Sequence, residues 1–82
     1  MYKVENCYRK NDGDTTQIII VAVGDSQFNH AIIYAIVAWL NVWCEKVDVI
    51  DSSVENRVVI EVVNPFVSVM YQPLDLLLES LD

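Results

Sequence analysis

The chain has 82 residues, 54% of them hydrophobic, and carries twelve Asp and Glu against five Lys and Arg for a net charge of −7. So short a chain makes one domain, residues 1–82, that is only marginally stable alone, and its acidic balance excludes generic binding to nucleic-acid phosphates, which demand a basic face. Two cysteines, Cys7 and Cys44, form neither a disulfide framework nor a zinc cluster, so a reduced, cytoplasmic protein with no metal and no cofactor is expected.

Tyr2 to Lys10 alternates loosely, with Tyr2, Val4 and Tyr8 on one face and Lys3, Glu5, Cys7 and Arg9 on the other. That pattern predicts a half-buried strand. Asn11-Asp12-Gly13-Asp14 reads as a turn. Gln17 to Val23 is apolar on both faces and should be a central strand, hairpinned to the first. Gly24 breaks it, and Asp25 or Ser26 offers an oxygen to cap a long helix reaching about Lys46.

Val47 to Asp51 reads as a short strand, and Ser52 to Asn56 contains the connection to Arg57 to Val63. In that next strand Val58, Ile60 and Val62 point inward, and Arg57, Val59, Glu61 and Val63 outward. Asn64-Pro65 ends it. Phe66 to Tyr71 can add a last extended segment, and Pro73 opens a short C-terminal helix with Leu74, Leu77, Leu78 and Leu81 on one face. The expected fold is α+β: a mostly antiparallel sheet of four to five strands in β-β-α-β-β order. One long helix lies across one face, followed by a short C-terminal helix. A ferredoxin-like sandwich starting at Gln17 is the nearest alternative, its final strand missing or supplied by the N-terminal hairpin.

Ala31 to Cys44 (A-I-I-Y-A-I-V-A-W-L-N-V-W-C) has one strongly polar residue, Asn41. On a helical wheel Phe28, Ile32, Ala35, Trp39, Val42 and Trp43 gather within about 60° of Phe28 and form the natural sheet-facing stripe. Ile33, Ile36, Val37, Leu40 and Cys44 form a second apolar stripe that needs its own cover. The C-terminal leucines can supply it, or a second copy of the helix in a two-fold dimer. His30, Tyr34, Asn41 and Glu45 form a narrow polar seam, read as a solvated edge or a small polar site. The run is too short and too interrupted to span a membrane.

Three further groups of residues offer chemistry. Ile18 to Ser26, I-I-I-V-A-V-G-D-S, resembles the nucleophile block of the SGNH, or GDSL-type, hydrolases. The resemblance would make Ser26 a nucleophile, but it covers nine residues and lacks that family's Asp-x-x-His; His30, the chain's one histidine, lies one turn further on. A serine without an oriented base is not activated. The same segment faintly resembles the opening of universal stress proteins, whose phosphate loop cannot be built with Gly13 and Gly24 alone. Asp48, Asp51 and Glu55, with Asp25 and Glu61, are carboxylates in no metal-loop spacing. Gln72-Pro73-Leu74-Asp75-Leu76-Leu77 resembles the short clamp-binding peptide of bacterial replication and repair proteins. Gln72, Leu74, Asp75, Leu76 and Leu77 match its positions, and Pro73 is an insertion.

The expectation from these residues is a small acidic protein that is not an enzyme and works as an adaptor, regulator or inhibitor. Its style is that of phage or mobile-element proteins that bind host factors. The expected partners are a second copy of the chain and a host protein, with no direct nucleic acid, membrane or small-molecule substrate. The candidate contact residues are Ile33, Ile36, Val37 and Leu40 for a dimer. For a clamp they are Gln72, Leu74, Asp75, Leu76 and Leu77. An acidic DNA mimic and a hydrolase using Ser26 are the remaining alternatives.

Overall fold

The computed structural model of the chain describes residues 1–10, 14–64 and 67–81. Six elements follow one another: β1 (Tyr2–Arg9), β2 (Thr15–Ala22), α1 (His30–Trp43), β3 (Lys46–Val54), β4 (Arg57–Val63) and α2 (Val67–Ser80). The strands form one four-stranded sheet in the order β1-β2-β4-β3, with every neighbouring pair antiparallel. The chain is therefore α+β, as its pattern predicts. β2 and β3 run parallel with β4 between them, so β2-α1-β3 is a split crossover. From β2 onward the order is that of a ferredoxin-like sandwich, and β1 supplies the remaining strand on the free side of β2.

Strict alternation builds the core. Ile18 and Ile20 of β2 pair with Ile60 and Val58 of β4, and all four side chains are fully buried with Val62. Onto this face pack Ile36 and Leu40 of α1 and Met70, Leu74 and Leu78 of α2, also fully buried. Both helices thus cover the same side of the sheet, and the other side is open.

Four expectations are corrected. First, Tyr8 does not share a face with Tyr2 and Val4. Val4 pairs with Ile20 and Asn6 with Ile19, so Glu5 is an extra residue that flips the parity of the strand. Cys7 then turns to the core and Tyr8 to the open face.

Second, α1 begins at His30 and not near Asp25. Gly24 turns the chain with φ of 71°, and the Phe28 N–H donates to the Glu55 carbonyl at 3.0 Å, holding the chain extended. Asn29 is the N-cap, accepting from the Ile32 N–H at 2.9 Å. The helix ends at Trp43, and Lys46 belongs to β3 rather than to its last turn.

Third, residues 67–71 are helical, so there is no fifth strand among the described residues. Pro73 lies inside α2, which is as long as α1 at 14 residues. Proline removes the bond to the Val69 carbonyl, but Val69 is exposed and water can serve that oxygen. Burying Met70, Leu74 and Leu78 at helical spacing outweighs the loss. The expected turn at Asn11 to Gly13, and Pro65 and Phe66, lie outside the described residues.

Fourth, the wheel of α1 is rotated. Ile36 and Leu40 sit at the centre of the buried face, while Trp39 is half-buried on its flank and Val42 and Trp43 are exposed. The branched aliphatics fit the flat sheet, and the tryptophans lie at its margin, where one edge of the indole meets solvent.

Candidate protein-interaction surface

The chain itself covers part of the stripe expected to need a partner. Ile36 and Leu40 are fully buried in one cluster with Met70, Leu74 and Leu78, whereas Ile33 and Val37 are half-buried and Ile33 lines an open groove. The C-terminal leucines cover Ile36 and Leu40, so these two side chains do not face a second copy in this fold. The same packing answers the clamp resemblance. Residues 72–77 are helical, with Leu74 fully buried, Leu77 half-buried and Gln72, Asp75 and Leu76 exposed. An extended peptide must present its leucines to a groove, and Leu74 is not presented.

What α1 shows to solvent is a different face. His30, Ala31, Tyr34, Ala38, Asn41 and Val42 are exposed, Tyr34 at 75% and Val42 at 83% of full accessibility. No residue from Ala31 to Cys44 carries a charge. Asn41 is turned back on its own helix, its Nδ2 donating to the Val37 carbonyl at 3.0 Å. At the C-terminal end the exposed Trp43 lies against Trp39, ring centroids 5.5 Å apart. At the N-terminal end an open groove of about 460 Å³ is lined by Phe28, Asn29, His30, Ile33, Val49 and Ser52. Val49 of β3, which lines this groove, is exposed. A helix that is apolar nearly all round is ordinarily buried all round. No signal in the sequence marks Tyr34, Ala38 and Val42 as one surface, although the uncharged run that contains them stands out.

The open face of the sheet is dressed differently. Ile19, Val21, Val59 and Val63 are half-buried there, at positions paired with Asn6, Lys3, Asp51 and Lys46 of the outer strands. Lys10 bridges to Glu61 at 2.8 Å, and Gln17 Nε2 donates to the same carboxylate at 3.3 Å. Lys10, then Gln17, hold the Glu61 carboxyl below its ordinary pKa. Long cationic side chains lay their stems over apolar surface while keeping the charge in water. Tyr8 is the large exposed aromatic of this face.

The other candidates dissolve into structure. Ser26 Oγ receives the Met1 amino group. It lines a loop depression of about 780 Å³ with Asp25, Gln27 and the β3–β4 turn. His30 stands at the first residue of α1 and lines the other groove, not this one, so serine and histidine do not share a site. Asp51 accepts from the Ser53 N–H at 2.9 Å and from its hydroxyl at 2.7 Å. These bonds hold its carboxyl below the ordinary pKa. Asp48 pairs with Lys46 at 3.5 Å. These carboxylates serve turns and ion pairs of the edge strand, and no cluster fit to hold a metal exists among the described residues.

Cys7 and Cys44 are unpaired, half-buried thiols. Burial pushes the Cys44 thiol up, against a hydrogen bond from Asn64, and the thiol donates to the Met70 sulfur at 3.7 Å. The Tyr71 hydroxyl is pushed up to about 12 by burial first and by its hydrogen bond with Cys7. No described helix is long and apolar enough to cross a membrane.

Comparison with protein-family models, curated proteins and solved structures finds no match to this chain.

Proposed function

We propose that the chain is a non-enzymatic protein-interaction module, an adaptor, regulator or inhibitor, whose docking surface is the exposed face of α1. The observation that carries this reading is the pairing of exposure with lack of charge. Tyr34 and Val42 are among the most exposed large apolar side chains, on a helix with no charged residue from Ala31 to its end. A −7 chain that needed only solubility would place carboxylates there. It keeps them elsewhere: Asp75 and Glu79 on α2, Asp48, Asp51 and Glu61 on the sheet. Apolar patches rimmed by polar residues mark contact surfaces, and His30, Asn41 and Glu45 form such a rim.

The test is affinity capture with the immobilised chain. Wild type and Tyr8→Glu, altered on the open sheet face, should retain the same bound protein, and Val42→Lys should lose it. Capture that is indifferent to Val42→Lys, with the variant folded by circular dichroism, overturns the reading.

A further inference from the structure

We infer that the occupant of the α1 face is a second copy of this chain, docked antiparallel about a two-fold axis through Ala38. The inference rests on the reading of α1 as a docking surface and adds the partner and the register.

A two-fold interface places one patch against itself, so the patch must be its own complement. The exposed face of α1 has that form. Ala38 stands at its middle, with Tyr34 four residues before and Val42 four residues after, all three exposed. Two antiparallel copies centred on Ala38 set each Tyr34 ring on Val42 of the second copy. The small Ala38 side chains at the crossing point let the helices approach closely.

Charge points the same way. Two −7 chains repel, and contact between them is tolerable only where neither brings carboxylates to the centre. The α1 face satisfies this. Its ends also differ: His30 lies at the start of the helix, and Glu45 two residues past its last residue, Trp43. The antiparallel arrangement brings His30 of each copy toward Glu45 of the other, whereas a parallel one would stack Glu45 on Glu45. A basic partner would suit the net charge, but within α1 it finds no carboxylate to pair with.

Specific interfaces begin at about 1,200 Å² of total buried surface. Tyr34 and Val42, 75% and 83% exposed, are the large side chains each copy brings to this one, a contact of the small class that exchanges with monomer rather than an obligate interface.

The experiment is sedimentation equilibrium on wild type, Tyr34→Glu, Val42→Lys and the double variant, with circular dichroism on each. Both positions are open to solvent, so the fold should tolerate every change. Wild type should dimerise. Each single variant should weaken the dimer at least tenfold, because it buries an unpaired charge. The double variant should recover dimerisation, because the carboxylate introduced at position 34 then meets the ammonium introduced at position 42 of the second copy. A wild type that stays monomeric overturns the inference, as does a dimer that neither single variant weakens. A double variant no better than the singles overturns the Ala38-centred register. A monomeric wild type leaves the module reading intact if Val42→Lys still abolishes capture of another protein.

Discussion

Asn64, at the end of β4, donates its side-chain Nδ2 to the Trp43 carbonyl at 2.9 Å, across 21 positions of sequence. The last carbonyls of a helix have no partner within it, so this bond ties the free end of α1 to the sheet. The Asn64 N–H also donates to the Asp14 carbonyl at 2.9 Å, and the residue is buried. It thereby helps fix the rotation of α1, and with it which face the helix shows to solvent.

Replacing Asn64 by Ala should cost about 1–2 kcal/mol, since a part-buried carbonyl loses its donor. Urea unfolding would read this as a lower midpoint at unchanged slope. Asn64→Asp should not rescue it, because a carboxylate cannot donate to the Trp43 carbonyl.

The cap of α1 gives a second prediction. Asn29→Ala should destabilise by about 1 kcal/mol through loss of the bond to the Ile32 N–H. Ser26→Ala should cost less than Asn29→Ala, since Ser26 lies outside the helix. The reverse order in thermal melts would place the helix start near Ser26.

These differences mark what the sequence could and could not disclose. Alternation in β4 puts Val58, Ile60 and Val62 inward without ambiguity, because a period of two allows no other assignment. The bulge at Glu5 has no such signal. One extra residue reverses every later side chain, and no residue type announces it. Asp25, Ser26 and Asn29 are all good cap residues, so local propensity cannot choose among them. The choice is made by the bond from Phe28 to the β3–β4 turn, a contact between distant segments. Pro73 reads as a helix start because its local cost is large, while the burial of Met70 ahead of it is a tertiary gain. On α1 the polar seam is legible, but centring the buried stripe on the aromatics rotates the helix and hides the grouping of Tyr34, Ala38 and Val42.

Leu74 and Leu76 separate a packed α2 from a displayed peptide. Leu74→Ala should cost about 2–5 kcal/mol as a core truncation, which a small domain can barely absorb. Leu76, 62% exposed, should tolerate Ala within about 0.5 kcal/mol. Equal, small effects in denaturant melts would mean that α2 leaves the core and would revive the clamp-binding reading.

Acid should loosen the open face of the sheet. Lys10 and Gln17 hold Glu61 below its ordinary pKa in the folded chain. Its contribution is therefore present above the unfolded value and is lost as the pH falls through the lower folded value. Glu61→Gln should be less stable than wild type near neutrality, and the gap should begin to narrow once the pH falls below the unfolded value of about 4.3. Parallel urea curves at pH 7 and pH 3 test this, and a gap that persists unchanged at pH 3 contradicts it.

Self-association through the exposed face of α1 is tested most directly by the mass of the chain in solution. Light scattering of wild type at rising concentration should converge on twice the mass of one chain, and Val42→Lys should remain at the mass of one. A wild type that stays at the mass of one chain throughout would contradict self-association through α1, and a Val42→Lys variant that doubles as wild type does would place the contact on another face.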